Sequence, residues 1–172
     1  MKIIFAGNTA WGMYNFRKPI IQYFIQNGTE VIEICPKDKI YQEKLWSIGC
    51  KCYTIDIEAK GNNPIKDMKT MWQIRRILKK ENPDCCFFYT IKPNIYGSMA
   101  AASLNIPYIP IITGLGYVFL VDNYVSKIAK FLYKIAFKRA KQVWFLNQDD
   151  VNAFKKEKLI DENKISILKV FV

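Results

Sequence analysis

The sequence predicts an α/β fold: a Rossmann-like parallel sheet of about six or seven strands with helices on both faces. Three observations carry that expectation. Short, continuously apolar runs such as Ile3–Ala6 and the CCFFY stretch at 85–89 alternate with helical patterns of about 10–17 residues. The composition, 51% hydrophobic and 24% charged, supplies a sizeable core, and 15% aromatic residues exclude low-complexity disorder. The 172 residues suit one domain, with no internal repeat or linker.

Each element has a local reason. Ile3–Ala6 is a buried strand ending at Gly7, and Asn15–Gln26 is a helix stopped by Gly28. Glu30–Cys35 is the next strand, closed by Pro36, and Asp38–Ser47 is a helix stopped by Gly49. Cys52–Ile57 alternates as a third strand, followed by the loop Glu58–Asn63. Asn63-Pro64 is a capped helix start, and that helix runs to Lys80 with Met68, Met71, Trp72 and Leu78 inward. Cys85–Tyr89 is a fourth strand, and Pro93–Leu104 a small-residue helix able to approach the sheet closely. Tyr108–Ile112 is the fifth strand and Val125–Ala140 a long helix. Gln142–Leu146, a helix over Asp149–Lys156 and the strand Ile165–Leu168 complete the pattern.

Several function classes fall away early. There is no histidine, so no His triad, His general base or His metal ligand exists in this chain. Eight glycines and five cysteines are too few for collagen-like or disulfide scaffolds. Cys35, Cys50, Cys52, Cys85 and Cys86 lack CxxC spacing and read as reduced, structural thiols of a cytosolic protein. MKIIFAG is too short for a signal peptide. The uncharged stretch Pro93–Val121 is broken by three prolines, three glycines and two asparagines, so it does not read as a membrane span. The net charge of +11 points to an anionic partner: nucleic acid, anionic lipid or a phosphorylated substrate.

A parallel sheet binds ligands beyond the carboxyl ends of its strands. The loops there are Gly7–Tyr14, Thr90–Asn94, Thr113–Tyr117 and Asn147–Asp150. The first departs from GxGxxG, the second strand ends in Cys35-Pro36 rather than an acid, and no P-loop is present, so a dinucleotide is disfavoured. Arg17 is expected in the first turn of its helix, where a cation opposes the macrodipole. Either a carboxylate or solvent accommodates it, or it holds a phosphate together with the loop amides. Lys92, with Thr90 and Asn94, is either a solvated lysine at a capped helix start or a ligand group. The glycines of TGLGYVF make either a tight turn or a close backbone approach to a ligand.

The long helix carries Lys127, Lys130, Lys134, Lys138 and Lys141 in one ~80° arc, flanked by Phe131 and Phe137. Val125, Ile128, Ala129, Leu132, Ile135 and Ala136 are expected to pack on the sheet. The lysine arc is either a solvated face or an edge that meets anionic lipid.

With these loops in view, the chain resembles the N-terminal, acceptor-side domain of a family 4 glycosyltransferase of the GT-B fold. The stretches that carry the resemblance are GNTAWGMYNFRKPII, VIEICPKD, GNNPIKDMKTMWQIRRILKKENPD, YTIKPNIYGSMAAASLNIPYIPIITGLGYVF and KRAKQVWFLNQDD with ENKISILK. They span nearly the whole chain in order and are similar to bacterial transferases of polysaccharide and lipid-linked oligosaccharide synthesis, including those that extend bacillosamine on undecaprenyl diphosphate. The resemblance implies transfer, with retention, from a nucleotide sugar to an undecaprenyl-diphosphate-type glycan acceptor. It implies no metal and no cofactor beyond the donor. It also implies a peripheral location on the cytoplasmic face of the cell membrane. Its substrate-binding positions fall on Gly7, Asn8, Asn15, Arg17, Thr90, Lys92, Asn94, Gly114, Gly116 and Asn147.

Two departures accompany the resemblance. Many members carry a His near the fourth-strand loop, where Thr90-Ile91-Lys92 stands here. Relatives also continue into a donor-binding domain, and residues 1–172 are expected to correspond to the acceptor domain alone, inactive by itself. The alternatives are a membrane-docking module that partners a separate donor-domain chain, or a truncated remnant. A nucleic-acid partner is not expected, because base-stacking motifs are absent.

Overall fold

A computed structural model describes residues 1–58, 63–116, 119, 121 and 123–168. Its strands are β1 (Lys2–Ala6), β2 (Glu30–Cys35), β3 (Lys51–Thr54), β4 (Cys85–Tyr89), β5 (Tyr108–Ile112), β6 (Val143–Phe145) and β7 (Ile165–Ile167). All pair in parallel in the order β3-β2-β1-β4-β5-β6-β7. The chain therefore winds outward from β1 in one direction, then returns to β4 and winds outward in the other. The carboxyl ends of β1 and β4 flank the switch point, where the connections leave on opposite faces and open a crevice.

The helices are α1 (Ala10–Gln26), α2 (Lys39–Ser47), α3 (Pro64–Glu81), α4 (Ser98–Ser103), α5 (Tyr124–Phe137) and α6 (Gln148–Lys156). Alternate residues of each central strand feed two cores. Cys86 and Phe88 of β4 face a core shared with α3, α4, α5 and α6, while Phe87 and Tyr89 face one shared with α1 and α2. Both cores are apolar because a parallel sheet is covered on both sides.

Element types follow the sequence, and boundaries differ for identifiable reasons. α1 begins at Ala10 rather than Asn15, because Thr9 caps it: the Gly12 N–H donates to Thr9 Oγ1 at 3.0 Å. A Cβ on Gly12 would stand 2.8 Å from that oxygen, so the glycine serves a helical cap and not a loop. Arg17 consequently lies in the second turn of α1, beyond the first-turn position expected for it. β3 stops at Thr54 because β2 ends opposite it at Cys35. Pro93–Gly97 forms a π-helical turn before α4, and Gly97 lies so close beneath Phe88 that a Cβ would be 2.6 Å from the ring. This is the close approach that the small residues predicted. All five cysteines are free thiols. Among the described residues, no helix is long and apolar enough to cross a membrane. Residues 59–62 of the expected Glu58–Asn63 loop and residues 117 and 118 of the TGLGYVF loop lie outside the described residues.

Candidate functional site

A pocket of about 300 Å³ opens at the carboxyl ends of β1, β4 and β5. Asn8 enters from the loop after β1, and Thr90, Ile91, Lys92 and Asn94 from the segment after β4. Thr113, Gly114 and Gly116 follow β5, and Tyr133 of α5 also lines the pocket.

The backbone around it is unusual. Thr90 has φ 67°, left-handed for a β-branched residue, a conformation that costs of order 1–3 kcal/mol and clusters at functional sites. Its hydroxyl donates to the Tyr89 carbonyl, and its own carbonyl accepts the Asn94 N–H at 2.9 Å. The π-helical turn follows at once, another feature found often at functional sites. Gly116 has φ 65° and packs against Ile91, so this turn requires a residue without a side chain.

Lys92 is not a solvated cation. Its Nζ lies 2.6 Å from Asp67 Oδ1 of α3, and both side chains are about one-tenth exposed. The other carboxylate oxygen of Asp67 accepts from the Tyr96 hydroxyl at 3.0 Å. Burial, followed by the Asp67 charge, raises the Tyr96 hydroxyl pKa above its ordinary value. Asn94 is fully buried. Its amide donates to the Ile111 carbonyl at 3.0 Å and accepts the Ile111 N–H at 3.2 Å. It ties the pocket wall to β5.

Of the residues expected to bind substrate, the structure brings Asn8, Thr90, Lys92, Asn94, Gly114 and Gly116 to one pocket. The other four lie elsewhere. Gly7 is buried against Met13, and Asn15 is exposed and donates to the Trp11 carbonyl at 2.8 Å. Arg17 stacks its guanidinium 4.6 Å from the centre of the Tyr89 ring. Asn147 caps α6 by accepting the Asp150 N–H at 2.8 Å. Sequence reading missed Asp67, because an acid in the first turn of a capped helix already satisfies the helix dipole. It also missed Tyr133, and it reached Thr113 only as part of the Thr113–Tyr117 loop.

The lysine arc of α5 requires a larger correction. The buried side chains are Ser126, Tyr133, Ala136 and Phe137, so the helix is rotated by roughly a quarter turn from the expected packing. Phe137 is a core residue, not a flank of the lysine face. Tyr133 and Phe137 join Phe145 and Phe154 in one aromatic cluster, with ring centroids 5.2–6.0 Å apart. Large rings bury more area than Ile128 or Ile135, so they take the inward positions. Tyr124, Val125, Ile128, Phe131 and Ile135 are exposed instead, Phe131 at 62%. Lys134, Lys138 and Lys127 lie beside this apolar strip. Lys130 is partly covered, 2.8 Å from Glu157, and Lys141 lies beyond the helix end.

A Rossmann-like half with its polar pocket at the switch point is the architecture of one lobe of GT-B transferases. A family model described as Glycosyl transferase 4-like matches residues 2–147, and the chain belongs to that family. It is 30% identical, over 98% of its length, to the N,N'-diacetylbacillosaminyl-diphospho-undecaprenol alpha-1,3-N-acetylgalactosaminyltransferase of Campylobacter jejuni, of which it covers 46%. The chain thus spans about half the length of that relative. Among solved structures, a glycosyltransferase from Rickettsia africae superposes with TM-score 0.73 at 19% identity, over 98% of this chain and 42% of that one. The UDP-GlcNAc 2-epimerase of Neisseria meningitidis superposes with TM-score 0.69 at 17% identity, over 97% of this chain and 46% of that one. A transferase and an epimerase share the fold, so the fold alone does not select the reaction.

Proposed function

We propose that this chain is the acceptor-binding half of a retaining glycosyltransferase that moves a sugar from a nucleotide sugar to an undecaprenyl-diphosphate-type lipid-linked glycan. The observation that carries this reading is the similarity to the Campylobacter transferase along 98% of the chain. The pocket at the switch point is the place for the acceptor, because its walls come from the loops at the carboxyl ends of three central strands. The donor and the groups that stabilise its leaving diphosphate would come from the remaining half, in the same chain or a separate one. Stabilising the charge that develops in a transfer reaction usually accelerates it more than any other single effect.

The exposed face of α5 favours an anionic membrane surface as the workplace. An apolar strip bordered by lysines suits the boundary between headgroups and acyl chains. The test joins this chain to the donor half of the Campylobacter relative and supplies labelled UDP-N-acetylgalactosamine with a lipid-linked acceptor. Product from the joined protein and none from the donor half alone supports the reading. No product from a folded joined protein rejects it.

A further inference from the structure

We infer that Asp67 is a specificity-determining residue, which makes the pocket select the uncharged sugar of an acceptor and not its phosphates. The inference rests on the acceptor-pocket reading above. Among the described residues lining the pocket, Lys92 is the only charged one. Its charge is offset by Asp67 at 2.6 Å, in a setting where both side chains are about one-tenth exposed. An incoming phosphate would meet the ammonium and the carboxylate together, and repulsion by the carboxylate would offset attraction by the ammonium.

A sugar hydroxyl meets no such conflict, because it donates and accepts. Lys92 has N–H donors besides the one directed at Asp67. Thr113 offers a hydroxyl, and Asn8 offers both an amide donor and a carbonyl acceptor. Thr90 directs its hydroxyl proton to the Tyr89 carbonyl, which leaves its oxygen able to accept. Asp67 does not line the pocket and acts through Lys92. Tyr96 holds its second oxygen, so the carboxylate is fixed from both sides.

The test is an NMR titration of the isotope-labelled chain with methyl N-acetylglucosaminide and, separately, inorganic pyrophosphate, read at the Thr90, Thr113 and Gly114 amides. The wild-type pocket should respond to the glycoside at lower concentration than to pyrophosphate. Asp67→Asn should reverse that order by tightening pyrophosphate about ten-fold or more, the effect of one released charge-assisted contact. Tyr96→Phe keeps the Lys92 pair and should keep the wild-type order. The wild-type order is measured on the unaltered chain, so it stands even where Asp67→Asn does not fold. A wild-type pocket that prefers pyrophosphate, or a folded Asp67→Asn chain with unchanged preference, overturns this inference alone. A pocket silent to both probes overturns the acceptor-pocket reading and this inference with it.

Discussion

The side-chain amide of Asn94 brackets the main chain of Ile111, donating to its carbonyl and accepting its N–H across 17 residues of sequence. Both groups are buried, so neither has water as a substitute partner. Asn94→Ala should therefore cost about 1–3 kcal/mol of stability, measured by urea unfolding. Asn94→Asp should also destabilise, because a carboxylate cannot donate to the Ile111 carbonyl.

Glu81 gathers a second polar network at the opposite end of the sheet. Its carboxylate is 5% exposed, lies 2.8 Å from Lys51 and 3.1 Å from Lys2, and accepts the Tyr53 hydroxyl. The Lys51 and Tyr53 contacts hold its pKa down at about 2. A depressed carboxylate pKa adds stability above the ordinary carboxylate range and loses it as pH falls toward 2. Glu81→Gln should lose about 1–3 kcal/mol at neutral pH, and thermal melts should show the difference shrinking in acid.

Glu33 on β2 has the opposite sign. It is fully buried, neither carboxylate oxygen has a hydrogen-bond partner among the described residues, and the nearby Gly7 N–H is engaged by the Ile34 carbonyl. Burial raises its pKa well above the ordinary value. A raised carboxylate pKa gives a contribution that is full at low pH and is lost as pH climbs through the folded value. Glu33→Gln should remove that slope. It should melt above wild type at about pH 8, with the gap closing near pH 4.

The α5 surface makes a prediction for vesicles. The chain should co-sediment with vesicles rich in phosphatidylglycerol more than with phosphatidylcholine alone, and salt should weaken the binding. Neutralising Lys134 and Lys138 should reduce partitioning about five-fold each, from ~1 kcal/mol per lysine at an anionic surface. Phe131→Ser should reduce it further in low salt. Equal co-sedimentation of all variants would show the face to be merely solvated. Lys130 is unsuitable for this test because its ammonium is paired with Glu157.

Much of the site is legible in the sequence because parallel-sheet topology needs only the alternation of apolar runs and helices. Thr90, Lys92, Gly114 and Gly116 fall at strand ends from the position of CCFFY and YIPII alone. Arg17 and Asn15 are displaced from their expected places by a local ambiguity. Thr9 and Gly12 read equally well as loop residues or as a helix cap, and the cap moves both residues a turn further along α1. Asp67 has no signal of its own, since its partner Lys92 is 25 residues away.

The sequence by itself determined the parallel α/β order, the strand ends that bear the loops and the strip of lysines on α5. Local pattern and turn chemistry are short-range, and each reads within a few residues. Tertiary structure decided which side of α5 faces water and whether the charge of Lys92 is free. Both depend on what other elements bring to the same place. Phe145 and Phe154 draw Tyr133 and Phe137 inward and turn Ile128 and Phe131 outward, while α3 delivers Asp67 to the Lys92 ammonium. A residue's identity states what it can bind, and packing selects the partner it meets.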